Sequence, residues 1–212
     1  MPAGPSGDAS GTPEAWVWGL GPGRGRAWER VLEGKLADVP LDGHVQAIQA
    51  LVAAHPEIDG SRVGVFGWSF GGYFSALAVL RRPDVYKAAV AIAPVTDWKN
   101  YDTAYTERYL GLPRDQAAAY DASSLIVAAA VPPPPGPQPT LLIAHGTADD
   151  NVYFFNSLQL VDALAKAGRS FRFLPFMGQT HQFASAEAQA AVWSAAAQAL
   201  QKGLGTAPQP SP

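Results

Sequence analysis

The 212-residue sequence contains no cysteine. Disulfide scaffolds, thiolate metal sites and cysteine nucleophiles are excluded together. Long apolar runs are missing too: none approaches the ~18–20 residues of a membrane span, and the opening MPAGPSGDASGTP has neither the charged nor the apolar stretch of a secretory leader. The chain as written is expected to be soluble and cytoplasmic, with no membrane partner. It has 15 Lys and Arg against 18 Asp and Glu, so there is no basic field to hold a nucleic-acid backbone. None of its four histidines pairs with another at metal-ligand spacing, and neither a metal nor another cofactor is expected.

What is present is a chain that can fill a core, 48% hydrophobic and only 16% charged. Its length fits one domain, expected over residues 15–204, with loose Gly/Pro/Ala-rich ends at 1–14 and 205–212. Short β-branched or aromatic runs alternate with helical patterns in a βαβα order. Strands are expected at Ala15–Trp18, Val63–Phe66 (buried on both faces), Ala88–Ile92, Thr140–Ala144 and Ser170–Leu174. Helices are expected around Val45–Val52, from Tyr73 to before Pro83, over Ser157–Ala167, and at the C-terminus. The run VPPPPGPQP at 131–139 reads as a stiff connecting loop rather than a ligand for a partner domain.

Gly67-Trp68-Ser69-Phe70-Gly71 matches G-x-S-x-G between an expected strand and an expected helix. A serine on so sharp a turn needs small neighbours, which Gly67, Gly71 and Gly72 supply. The turn lifts Ser69 above the sheet at a helix N-terminus, where negative charge is favoured. A serine nucleophile needs a base and the base an orienting carboxylate, in the order Ser, acid, His. Asp149 and Asp150 follow the strand Thr140–Ala144, and His181 follows Ser170–Leu174, so that order is satisfied. Of the other histidines, His44 is expected as a solvated helix cap, His55 in a turn, and His145 as a hydrogen-bonded structural residue. Trp98, Tyr101 and Tyr105 are spaced to share one helical face, which from spacing alone reads as core packing.

The stretches GWSFGGYFSALAVLRRPDVYKAAVAIAPVTDWKNYDTAYTERYLGLP and LLIAHGTADDNVYFFNSLQLVDALAKAG closely resemble the catalytic domain of the dipeptidyl peptidase IV branch of the prolyl oligopeptidase family. The resemblance covers roughly residues 16–202. It implies an α/β-hydrolase fold, a mostly parallel sheet with helices on both faces, here missing its first strands. It also implies a serine peptidase that removes N-terminal dipeptides after a penultimate proline or alanine. Carried over by motif, Ser69 is the nucleophile, Asp149 orients the base and His181 is that base. The N–H of Phe70 is one oxyanion donor. Phe70, Val95, Trp98, Tyr101, Tyr105 and Val152 match the wall of a proline pocket, and Asn151 matches a residue near the substrate's backbone carbonyl.

In that family an upstream β-propeller supplies paired glutamates for the substrate's amino group, and an upstream tyrosine supplies the second oxyanion donor. Neither has a counterpart here, so weak activity is the expectation. Two alternatives stand beside the peptidase: a small serine esterase, and a non-catalytic module that forms a homodimer through an uncovered sheet edge.

Overall fold

A computed structural model describes residues 26–205. The expected strand Ala15–Trp18 and the ends 1–14 and 206–212 lie outside the described residues. Helices α1 (Arg26–Arg30) and α2 (Asp38–Ala54) lead into strand β1 (Val63–Trp68) and helix α3 (Phe70–Arg81). Strand β2 (Tyr86–Ile92) follows, then a 3-10 turn at Trp98–Asn100 and three short helices: α4 (Thr103–Leu110), α5 (Ala117–Ala122) and α6 (Leu125–Ala130). The chain closes with β3 (Thr140–Gly146), α7 (Phe155–Lys166), β4 (Arg172–Phe176) and α8 (Ala186–Leu204). Simple βαβα alternation therefore fails between β2 and β3, where helical turns and loop replace a single helix. The proline-rich 131–139 segment is the loop entering β3.

The four described strands are all parallel, in the order β1-β2-β3-β4. Period-two alternation divides the inner strands between two cores. Ala89, Ala91, Leu141 and Ile143 face the layer formed by α2, α3, α6 and α7. Val90, Ile92, Leu142 and Ala144 face α8 through Val192, Ala195, Ala196 and Ala199. Every residue of β2 except Lys87 is buried, as a strand covered on both faces should be. This is the α/β architecture expected, with helices on both faces.

Three readings need correction. β1 is not buried on both faces: its residues alternate between half-buried and exposed, and Phe66 is 44% exposed. It has no strand on its outer side among the described residues. His44 does not cap a helix. Helix α2 starts six residues earlier, because Pro40 fits the first turn where its missing N–H is not needed. His44 thus falls mid-helix, packs its ring 4.5 Å from that of Phe74, and is pushed below the usual histidine range by burial. The last strand begins at Arg172 rather than Ser170 and carries Pro175, which an edge strand tolerates.

Candidate active site

The parallel strands all end on one side of the sheet, and the motif residues collect there. β1 ends at Trp68, and Ser69 turns the chain into α3 with φ 61° and ψ −118°. This positive φ in a non-glycine residue costs about 1–3 kcal/mol. It is held by surrounding bonds: the Ser69 N–H donates to Ile92 O (2.9 Å), and Tyr73 N–H donates to Ser69 O (2.9 Å). Ala93, one strand over, also has positive φ, 45°, and its N–H donates to Ala144 O.

The glycines divide by role. A Cβ on Gly67 would strike the backbone of Gly71, and one on Gly72 would strike the carbonyl of Ile92. One on Gly71 meets nothing within 4 Å, so of the three only Gly67 and Gly72 are required by space. Gly72→Ala is expected to destabilise the fold by at least ~3 kcal/mol, because backbone rather than a movable side chain blocks the methyl. Urea midpoints measure this, with Gly71→Ala as a control that shifts far less.

Asp149 lies just beyond β3, is 5% exposed, and accepts at both oxygens. Its Oδ1 takes the N–H groups of Asn151 (3.0 Å) and Val152 (2.9 Å). Its Oδ2 takes His181 Nδ1 (2.8 Å) and His145 Nε2 (3.1 Å). Burial alone would raise this carboxyl, but the bonds from His145, His181 and the Asn151 N–H outweigh it and hold it well below the usual carboxylate range. A carboxylate only accepts, so His181 carries its proton on Nδ1 and leaves the Nε2 lone pair free.

His145 is fully buried, as a structural histidine should be. Its Nε2 faces two acceptors, Asp149 Oδ2 and Val152 O (2.8 Å), and therefore bears hydrogen; Nδ1 accepts from the Ser157 hydroxyl at 2.7 Å. Asp150, the neighbouring acid, is exposed and makes none of these bonds.

The loop carrying His181 is tied to both strand ends. Trp68 Nε1 donates to His181 O (2.8 Å), and Ala148 N–H donates to Gln179 O (3.0 Å). Gly146 lets the loop approach, since a Cβ there would strike Gln179 and Thr180 carbonyls. Trp68, adjacent to the serine, was not singled out in the sequence; only its place inside the serine motif hinted at a role. Ser69 Oγ makes no hydrogen bond among the described residues, so of the three residues only His181 and Asp149 are joined directly. Phe70 is the first residue of α3, where an N–H has no carbonyl one turn back within its helix.

The aromatic residues meet, though not on one helix. Asp97 and Asp102 each accept a backbone N–H, from Lys99 and Tyr105, and so cap two separate helical segments. Tyr101 lies between them in extended conformation. Trp98 nevertheless stacks on Tyr105 at 5.8 Å and contacts Tyr101 at 6.0 Å and Phe70 at 5.9 Å. Trp98, Val95 and Val152 are fully buried behind this cluster, while Phe70, Tyr101 and Tyr105 keep partly open faces. Burial pushes the Tyr105 phenol up to about 12, so it stays neutral. Tyr101 OH donates to Asn151 Oδ1 at 3.0 Å and joins the aromatic cluster to the acid loop.

The prolyl oligopeptidase family model matches residues 19–204. Dipeptidyl peptidase 8 of Mus musculus is 36% identical over 148 residues, 70% of this chain and 16% of that protein. A probable dipeptidyl-aminopeptidase B of Metarhizium robertsii is 42% identical over 146 residues, 68% of this chain and 15% of that protein. The crystal structure of Porphyromonas gingivalis dipeptidyl peptidase 4 superposes with a TM-score of 0.78 at 32% identity, over 85% of this chain and 25% of that one. The chain thus spans about a sixth of the length of these curated relatives. A match over nearly all the described sheet, shared with solved relatives in both sequence and backbone, means that this chain belongs to the prolyl oligopeptidase family of serine hydrolases.

Proposed function

We propose that this chain is the catalytic portion of a serine peptidase that releases N-terminal dipeptides from peptides whose second residue is proline or alanine. The observation that carries the reading is the 2.8 Å bond from His181 Nδ1 to the buried Asp149, on a loop that Trp68 ties beside Ser69. Ser69 Oγ attacks the scissile carbonyl as His181 Nε2 takes its proton, and Asp149 stays ionised to steady the imidazolium. The Phe70 N–H, at the positive end of α3, meets the oxyanion. His181 then gives its proton to the leaving amine, and a water repeats the sequence to release the acyl group. Phe70, Tyr101 and Tyr105, backed by Trp98, Val95 and Val152, offer a flat apolar surface suited to a proline ring. Asn151 stands beside that surface to meet the peptide backbone.

Hydrolysis of a Gly-Pro chromogenic amide by the purified chain tests this. Slow turnover is expected where the Phe70 N–H alone meets the oxyanion, since removal of one oxyanion donor costs about 10²–10³-fold. Equal rates for the chain and a Ser69→Ala control would refute it.

One feature favours a homodimer as well. Trp193 is 46% exposed and packs against Trp68 beside β1, which has no further strand on its outer side among the described residues, an apolar surface of the kind that subunits bury. Light scattering after size exclusion should then report twice the 22.3 kDa chain mass; a monomer at micromolar concentration would contradict it.

A further inference from the structure

Asp149 Oδ2 receives two histidines, and the serine chemistry uses only one of them. His181 Nδ1 reaches it at 2.8 Å and His145 Nε2 at 3.1 Å. Their settings differ: the His181 side chain is 18% exposed on the loop after β4, whereas those of His145 and Asp149 are fully buried. His145 stands near the end of β3, four residues before the acid. Both nitrogens of its ring are committed. Nε2 also points at Val152 O (2.8 Å), and Nδ1 takes the hydroxyl of Ser157, a buried residue in the first turn of α7, at 2.7 Å. A ring that accepts at Nδ1 and donates at Nε2 is neutral and held in one orientation.

These bonds close on themselves. Val152 gives its N–H to Asp149 Oδ1 and its carbonyl to His145 Nε2–H, so turning the carboxylate breaks bonds at both of its oxygens together. The start of α7 is anchored in turn: buried Thr96, after β2, donates its N–H to Asn156 Oδ1 (3.1 Å) and its hydroxyl to Asn156 O (2.8 Å). Without His145, the remaining donor to Oδ2 among the described residues would be His181 itself, on a partly exposed loop. We propose that His145 is a positioning residue for the triad: its Nε2–H, oriented by the Ser157 hydroxyl, holds Asp149 Oδ2 where it fixes the His181 proton on Nδ1. The proposal rests on reading Ser69, His181 and Asp149 as the reacting set. It gives α7, which carries no reacting group, a part in setting the base.

Magnetic resonance of the full chain, isotope-labelled in its four histidines, tests this. Replacing each histidine in turn assigns the ring signals. In mildly alkaline buffer His145 should be the Nε2–H tautomer and His181 the Nδ1–H tautomer. His145→Leu keeps the bulk and removes both nitrogens; it should leave His181 divided between tautomers and slow fluorophosphonate labelling of Ser69 by about 10- to 100-fold. His145→Gln, whose amide N–H stands in for Nε2–H, should recover most of both. Ser157→Ala should move both readouts in the same direction by a smaller factor, and it decides the question if thermal melts show that His145→Leu does not fold. A His145 proton on Nδ1, a His181 tautomer unchanged in every folded variant, or a loss that His145→Gln does not recover would each overturn the proposal. Labelling of the wild-type chain reports separately on the nucleophile. Labelling with His181 unaltered in the variants rejects the positioning role alone, and the expected tautomers without labelling reject the peptidase reading alone.

Discussion

Replacing Ser69 with alanine is expected to bring hydrolysis to the uncatalysed background, a loss of up to ~10⁶-fold in kcat. Nothing else about the protein should change. Ser69 Oγ makes no hydrogen bond among the described residues, so its removal leaves no partner unsatisfied. The turn at Ser69 is fixed by backbone bonds to Ile92 and Tyr73, which alanine retains. Urea midpoints for the two proteins should agree within about 0.5 kcal/mol. A variant that lost both activity and stability would mean that the serine is part of the scaffold rather than a reacting group.

Asp149→Asn has the second-largest expected effect and a different signature. Activity should fall about 10⁴-fold, because an amide no longer fixes the His181 tautomer or steadies its cation. Stability should fall as well, by about 2–5 kcal/mol, since four donors converge on the carboxylate and an amide nitrogen would confront some of them. The pH dependence follows from the depressed value of this carboxyl. A group held below its unfolded value contributes stability that is complete above that unfolded value, about 3.9 for Asp, and is lost as pH falls through the folded value. The stability gap between wild type and Asp149→Asn should therefore be constant from pH 7 to about 4 and narrow in stronger acid. Urea unfolding at pH 7, 5, 4 and 3 measures it. A gap that closed already by pH 5 would show that the carboxylate is not held by these donors.

The residues that make the site were readable where chemistry restricts the choice. The serine motif needs small residues between a strand and a helix, and Gly67, Ser69 and Gly72 stand where that requirement puts them. Asp149, Asp150 and His181 follow strands at the same sheet edge, so their order along the chain was enough to pair His181 with one of the two acids. The choice of Asp149 over Asp150 came from family resemblance. Its physical basis is tertiary: one carboxylate points inward to four donors, the other to solvent.

Other features depended on contacts that sequence spacing does not contain. Trp98, Tyr101 and Tyr105 sit at helical intervals, yet two aspartate caps break the helix and the rings meet through a turn. β1 is as apolar as a fully buried strand, and only the sheet order shows that no strand flanks its outer side among the described residues. The Trp68 bond to the His181 carbonyl spans 113 positions and has no local signature.

The proposed peptidase chemistry requires Ser69 to be an activated nucleophile, and covalent labelling addresses that most directly. The chain would be treated with a fluorophosphonate at neutral pH, digested and analysed by mass spectrometry. A single phosphonyl adduct on Ser69 is expected, slowed strongly by Asp149→Asn and absent from Ser69→Ala. No adduct on the folded chain, or one on another residue that persists in Ser69→Ala, would contradict it.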